Sequence, residues 1–248
     1  MMRLRERLAN QYPSLGRVRR WLRANVDARS SVRASYSQNG EDSFIWSRLL
    51  AYDLRRSAYI DVGANHPTNL SNTFLLYRNN LRGIIVEPNP ELLQLHRSIR
   101  PDDYAVLAGC GAEPAIGAFQ ILSTPVLGSF TNHLDLKTER TEVRRLDTIH
   151  VPIVPLDAIA QLVPCDYFCF TSIDAEGQDY EVVLGARHTL QRTLFLCIEA
   201  NTEDAKQHLT VDLEDQGFVL IHQLGCNLVF FNSNSAMNQY RLHPDLDD

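Results

Sequence analysis

The chain has 248 residues, a net charge of −6 and ordinary apolar and charged fractions, enough for one large α/β domain or two small ones around a core of normal size. Residues 1–33 hold nine arginines against only Glu6 and Asp27, so the remaining body is more acidic than the total implies. An acidic body argues against a nucleic-acid partner, because phosphate recognition needs clustered cations.

The basic N-terminal segment carries Leu4, Leu8, Leu15, Val18, Trp21 and Leu22 among its arginines, interrupted by Pro13 and Gly16. It reads as an extension that is either solvated or offered to anionic lipid or a partner. It has no continuous apolar run of signal-peptide type, and nothing in the chain approaches the ~18 apolar residues of a membrane span. The five cysteines (Cys110, Cys165, Cys169, Cys197, Cys226) are odd in number and lack zinc-site spacing. Reduced core cysteines in a cytoplasmic protein are the expectation.

In chain order, residues 34–40 read as a loop, with Asn39 placed to cap a helix that opens on Glu41 and Asp42. A strand is predicted over 58–62. Leu70, Phe74, Tyr77 and Leu81 recur at helical spacing and predict a helix over 68–80. A buried strand follows at 84–86. Asn89 and Pro90 are an N-cap and first-turn proline for the next helix, and a strand is predicted at 104–108. This βαβαβ order argues for a parallel sheet with right-handed crossovers.

Residues 114–150 break the rhythm. A short strand is predicted at 118–122, and 123–150 contains an irregular loop read as a lid, in which Thr131, Asn132 and His133 could meet a substrate. A short strand at 151–154 and a helix from Pro155 follow. The main pattern then resumes with a strand at 167–173, a helix at 179–190, a strand at 194–198, a helix at 203–216 and a hairpin of 218–224 with 228–231, in which His222 is read as structural. The organisation expected is a basic extension (1–33), one catalytic domain (34–232) and a loose polar tail (233–248).

Ligands of open α/β sheets sit beyond the C-terminal ends of the strands, so the residues there carry the functional reading. In DVGANHP (61–67), Gly63 answers the need for a sharp turn close to a ligand. The GxGxxG pattern of pyrophosphate-binding dehydrogenases is absent. S-adenosylmethionine has no phosphate, so it does not make that demand. Glu87, closing the next strand, is placed to accept both ribose hydroxyls as a bidentate carboxylate, and Asp61 to pair with the ammonium. Beyond the later strands, Asp174 and Glu176 are carboxylates suited to taking a proton from an alcohol, with His66 a further candidate base and Glu199 at the end of the neighbouring strand. Asp174 and Glu199 could instead hold Mg²⁺, which would lower a hydroxyl pKa.

The ordered motifs SQNGED (37–42), DVGANHP (61–67), Ser71 to Thr73, EPNP (87–90) and IDAEG (173–177) resemble those of the FkbM family of class I S-adenosylmethionine-dependent methyltransferases, over about residues 35 to 232. The resemblance implies a Rossmann-like, mostly parallel seven-stranded sheet ending in an antiparallel hairpin. It also implies O-methylation of a hydroxyl on a sugar, glycan, glycolipid or secondary metabolite. It places Gln38 and Asn72 near the cofactor, beside Asp61, Gly63, Ala64, Asn65, Glu87, Pro88 and Asn89. Residues 1–33 and 123–150 have no counterpart in the family pattern. The rival readings are a nicotinamide oxidoreductase on a similar sheet, a protein or RNA methyltransferase, and a non-catalytic module that keeps the cofactor pocket.

Overall fold

A computed structural model describes residues 35–123, 128, 130, 137–138, 141–142 and 144–242. The basic segment 1–33, the loop residues Thr131, Asn132 and His133, and residues 243–248 lie outside the described residues.

Helix α1 (Glu41–Leu49) starts at Gly40, whose φ of 94° sits in the left-handed region that favours glycine. Asn39 does not cap it. The Asn39 backbone N–H and Nδ2 instead donate to the Glu41 carboxylate at 2.8 and 3.0 Å. Glu41 and Asp42 are both fully buried. Asp42 gathers the Ser35 and Ser37 hydroxyls and the Tyr36 N–H, while Glu41 accepts from Asn227 Nδ2 at 2.7 Å. The two acids therefore serve as anchors for the loop before α1.

Strand β1 (Ser57–Val62) is followed by a much shorter helix than the apolar spacing predicts. Only Phe74–Arg78 winds as α2. Leu70 takes a φ of 57° and is half exposed. Polar side chains compete for the backbone here: Ser71 Oγ accepts from Phe74 N, and Asn72 Nδ2 crosses to Ser172 Oγ at 2.9 Å. Strand β2 (Gly83–Val86) leads to α3 (Pro90–Ile99), which Asn89 caps as predicted by accepting from Glu91 N and Leu92 N.

After β3 (Tyr104–Val106) the chain leaves the main sheet. Strands β4 (Gly109–Cys110), β5 (Ala115–Leu122) and β8 (Arg145–Val154) form a separate three-stranded sheet, with β6 (Lys137–Thr138) and β7 (Thr141–Glu142) a small ladder between them. Strand β8 runs ten residues where four were expected, because β5 pairs antiparallel along nearly its full length. A short helix α4 (Leu156–Ile159) returns the chain to β9 (Tyr167–Ile173). The helix expected over 179–190 is two, α5 (Asp179–Leu184) and α6 (Arg187–Gln191), split at Gly185. A Cβ at Gly185 would stand 2.1 Å from the Gly111 carbonyl oxygen, so this junction presses directly on the excursion. Strand β10 (Thr193–Glu199), α7 (Glu203–Asp215), β11 (Phe218–Leu224), β12 (Asn227–Asn232) and α8 (Ser235–Asn238) complete the chain.

The main sheet has the order β11-β12-β10-β9-β1-β2-β3. Strands β1, β2, β3, β9 and β10 are parallel, and β12 is antiparallel to both β10 and β11. This is the mostly parallel seven-stranded α/β sheet with an antiparallel terminal hairpin that was expected. Apolar side chains cover both faces. Ile60, Val62, Ile84 and Val86 pack toward α5, α6 and α7, while Tyr59, Ile85, Tyr167 and Phe170 pack toward α1, α2 and α3. The segment after β12 corrects the expectation of a loose tail as far as Leu242. Met237 is buried, Tyr240 stacks on Tyr167 at 4.0 Å, and Asp53 N and Leu242 N bond across the α1–β1 connection. The described cysteines are all free. Among the described residues no helix is long and apolar enough to cross a membrane.

Beneath the sheet edge lies a buried polar hub. Arg100 is 1% exposed. Its Nε meets Asp103 at 2.8 Å, and its Nη2 donates to Tyr59 Oη and Thr73 Oγ1, both at 2.9 Å. Tyr59 Oη donates to Asp103, which also accepts from Gly83 N. Thr73 Oγ1 donates to Asp61 at 2.5 Å. Burial opposes the Arg100 charge, but Tyr59, Asp103 and Asp61 outweigh it and raise its pKa. Removing one partner of a buried ion pair costs about 3–5 kcal/mol. Asp103→Ala should therefore lower stability by about that amount in urea denaturation, and a loss under ~1 kcal/mol would mean that the hub does not hold β1, β2 and α3 together.

Candidate active site

Strand register decides what meets at the C-terminal edge. Val62 pairs with Val86 and with Ile173, and Ile173 pairs with Ile198. Gly63, Glu87, Asp174 and Glu199, each one residue further on, therefore form one row. Behind them a cleft of about 570 Å³, including its open mouth, is lined by Gly63, Asn65, Glu87, Pro88, Ala108, Gly109, Cys110, Phe119, Gly128, Phe130, Asp174, Glu176 and Gln178.

Gly63 is required twice. Its φ is 71°, and a Cβ would stand 1.8 Å from the Asp174 carbonyl oxygen. Its N–H and that of Ala64 both donate to the Val86 carbonyl, which folds the turn back over β2. Glu87 lies against this turn. One oxygen accepts from Asn65 N at 2.8 Å and the other from Asn89 N at 2.7 Å. Burial still pushes its carboxyl up to about 7.

Past β9, Asp179 accepts from Ala175 N at 2.8 Å and Gly177 N at 3.1 Å. This clamp holds Glu176 in the left-handed region, at a φ of 49°, an unusual conformation for a residue with a side chain. Burial, reinforced by Glu199, raises Glu176 to about 7 and Asp179 to about 6. Burial and then the charges of Glu199 and Glu176 push Asp174 well above the usual carboxylate range. Asp174 Oδ1 and Asn65 Oδ1 are buried with no hydrogen-bond partner, and both residues line the cleft.

The cleft has two characters. One end is polar, with Asn65, Asp174, Glu176 and Gln178; the other is apolar, with Pro88, Ala108, Cys110, Phe119 and Phe130. Phe119 and Phe130 meet edge to face at 5.1 Å. They fit because a Cβ at Gly109, Gly117 or Gly128 would fall within about 2.8 Å of one or the other ring. A second cleft opens beside the same carboxylates, lined by Tyr180, Glu199, Asn201, Thr202 and His208 among others.

Of the residues singled out from sequence, Gly63, Asn65, Glu87, Pro88, Asp174 and Glu176 line the first cleft. Asp61 does not. It alternates with Ile60 and Val62, so it faces the Arg100 hub, bonded to Thr73, and burial raises it to about 6. Ala64 and Asn89 are buried behind the cleft, Asn72 is tied to Ser172, and Gln38 is exposed. His66 Nδ1 accepts from Thr68 N and Asn69 N, a turn-holding role, and burial lowers its pKa. The expected Asp174–Glu199 metal pair gains no further ligand: among the described residues no three His, Cys, Asp or Glu side chains group to hold a metal ion. Glu199 instead accepts from Asn201 Nδ2 and Cys226 Sγ. The residues that sequence reasoning missed are Gln178, Asp179, Phe119 and Phe130. The glycines at 109, 117 and 128 were the available signal for the two rings.

The strand order, the glycine turn and the strand-end acid define a class I methyltransferase fold. The family model described as the methyltransferase FkbM domain matches residues 61–220. The chain belongs to the FkbM family of S-adenosylmethionine-dependent methyltransferases. A comparison with curated proteins finds no match. Among solved structures, an FkbM methyltransferase from Methylobacillus flagellatus KT is similar at 15% identity and a TM-score of 0.46, over 71% of this chain and 43% of that one, less than half its length. TrmK of M. capricolum in complex with S-adenosyl-homocysteine is similar at 12% identity and a TM-score of 0.38, over 77% and 68% of the two chains. A human methyltransferase 10 domain containing protein is similar at 12% identity and a TM-score of 0.39, over 77% and 78%.

The raised carboxyls set a pH dependence of stability. Glu87 and Glu176 keep a proton in the folded chain up to about pH 7, whereas the unfolded chain releases it near the ordinary 4.5. Their contribution is full below that value and is lost as pH rises through 7. The lowered histidines His66 and His96 oppose this, because the unfolded chain binds their protons, but that opposing slope dies away within about one pH unit above 6.5. The melting temperature of the ligand-free chain should therefore fall between about pH 6.5 and 8, and Glu87→Gln should flatten the slope. A melting temperature that rises over this interval would contradict the assignment.

Proposed function

We propose that the chain is an S-adenosylmethionine-dependent O-methyltransferase acting on a hydroxyl of a sugar, glycan, glycolipid or secondary metabolite. The observation that carries this reading is the pairing, in one cleft, of Glu87 at a strand end among apolar and aromatic side chains with Glu176, in the turn after β9, at a pKa of about 7.

The cleft fits the cofactor in its donor set. Glu87 is fixed in plane by two backbone N–H groups and keeps lone pairs for two ribose hydroxyls. The orphaned Oδ1 atoms of Asn65 and Asp174 suit an ammonium, and the surrounding carboxylates favour a cation. Asp174 and Asn65 thus take the place first given to Asp61. The slot of Pro88, Phe119 and Phe130 suits a flat base. When bound, S-adenosylmethionine supplies a methyl group already activated on a sulfonium.

What the chain must add is alignment and a proton acceptor, since an alcohol is a weak nucleophile at neutral pH. Glu176 is matched to that task. Its pKa lies near neutrality, so the carboxylate is both populated and basic. Asp179 sets its position through the Ala175 and Gly177 amides. The second cleft, next to Glu176 and lined by Tyr180, Asn201 and His208, offers the acceptor a ring face and hydrogen-bonding groups. Among the described residues, neither cleft is lined by a lysine or arginine, which supports an uncharged acceptor over nucleic acid.

Calorimetry with S-adenosylhomocysteine and with NAD tests the cofactor. Binding of the first alone is expected, and binding of NAD alone would sink the reading. Glu176→Gln should lower kcat by about 10²-fold or more while the affinity for S-adenosylhomocysteine stays within about twofold. Unchanged turnover would remove Glu176 as the base. Phe130→Ala should weaken S-adenosylhomocysteine by about fivefold, the value of an aromatic contact of ~1 kcal/mol, and leave the affinity for homocysteine unchanged.

A further inference from the structure

We propose that His96 is a positioning residue for the cofactor cleft, holding the Asn65 carbonyl so that the Asn65 amide stays on Glu87 and its side chain stays on the cleft wall. The proposal rests on the cofactor reading above and extends it to a residue outside the cleft lining.

His96 lies on the inward face of α3 with no exposed surface. Packing alone would be satisfied by leucine there, as at Leu93 on the same helix. Its Nε2 instead lies 2.9 Å from the Asn65 carbonyl oxygen. A carbonyl only accepts, so Nε2 carries the proton and donates. Burial and the neighbouring Arg100 charge hold the ring far down, to about 3, so it stays a neutral donor across the working range.

The partner is a backbone that needs holding. Asn65 sits at a φ of 49°, a left-handed conformation uncommon for residues with a Cβ and met mainly at asparagine and aspartate among them. Its two peptide groups are fixed from opposite sides. Its N–H donates to Glu87 Oε2, and its carbonyl accepts from His96. Glu87 Oε1 in turn accepts from Asn89 N, and Asn89 caps the helix that carries His96. Asn65, Glu87, Asn89, α3 and His96 thus close a circuit. If the His96 donor is lost, the Asn65 peptide is free to relax toward the right-handed region. That would turn its N–H off Glu87 and its unpartnered Oδ1 away from the cleft. Glu87 would then lose the bond that sets its plane toward the ribose.

The test compares H96F, which fills the site without a donor, with H96Q, whose amide nitrogen reaches close to the Nε2 position. Calorimetry should show S-adenosylhomocysteine bound at least tenfold more weakly by H96F and within threefold of wild type by H96Q, although both lose thermal stability. Equal affinity in H96F and wild type, or equal losses in both variants, would overturn the proposal, since a purely structural role predicts no rescue of affinity by glutamine. If H96F does not fold, H96N takes its place, because its shorter amide does not reach the carbonyl. Hydrogen exchange of the Asn65 amide in ligand-free protein is the second readout. Exchange at least tenfold faster in H96F or H96N, and near wild type in H96Q, is expected, and unchanged exchange would overturn the proposal. Should wild type fail to bind S-adenosylhomocysteine, the cofactor reading fails, and the exchange result still decides whether His96 holds the turn.

Discussion

One buried cation organises the structure around it. Arg100 is buried, so its charge is met by protein groups in place of water. Asp103 supplies the countercharge, Tyr59 and Thr73 accept from Nη2, Ser71 Oγ accepts from Nη1 at 3.5 Å, and Asp61 completes the chain through Thr73. These residues come from β1, the 71–73 turn, the end of α3 and the approach to β3. Their relative placement is therefore fixed by hydrogen-bond directions as well as by packing, which is less directional. The Gly63–Asn65 turn grows from the strand that this hub holds.

The cleft inherits its shape from that base and its chemistry from strand register. Four parallel strands end within one residue of each other, and each delivers a functional position at the same level. Crowding carboxylates at such an edge raises their proton affinity by burial and mutual repulsion. The same crowding makes the edge receptive to a cation. An acidic edge that is costly for the empty chain is thus suited to a positively charged ligand and to abstraction of a proton.

Much of this was legible in the sequence, and the failures have identifiable causes. Strand ends could be read because apolar runs at 84–86, 167–173 and 194–198 stop at acids and the run at 58–62 stops at Gly63. The Asn89–Pro90 cap could be read because it is a local signal. Asp61 was assigned to the ligand because it adjoins Gly63, but period-two alternation with Ile60 and Val62 sends it to the opposite side. The helix over 68–80 failed because Ser71, Asn72 and Thr73 each found a partner elsewhere, and apolar spacing does not report such competition. The small sheet of β4, β5 and β8 was hidden because its pairing joins residues about thirty apart with little hydrophobic alternation. With it went Phe119, read only as part of a short strand at 118–122, and Phe130, left in a lid with no assigned role.

The bond between Glu41 and Asn227 spans 186 positions of sequence. Both groups are buried, one next to the first described helix and one in the last strand of the sheet. During synthesis the Glu41 carboxylate is made long before its partner leaves the ribosome, and contacts of such separation form late. Strands β1, β2, β3 and β9 can pair while the chain is still growing. The anchoring of the loop before α1 waits for the terminal hairpin. This side of the domain therefore closes only once β12 is available to pair.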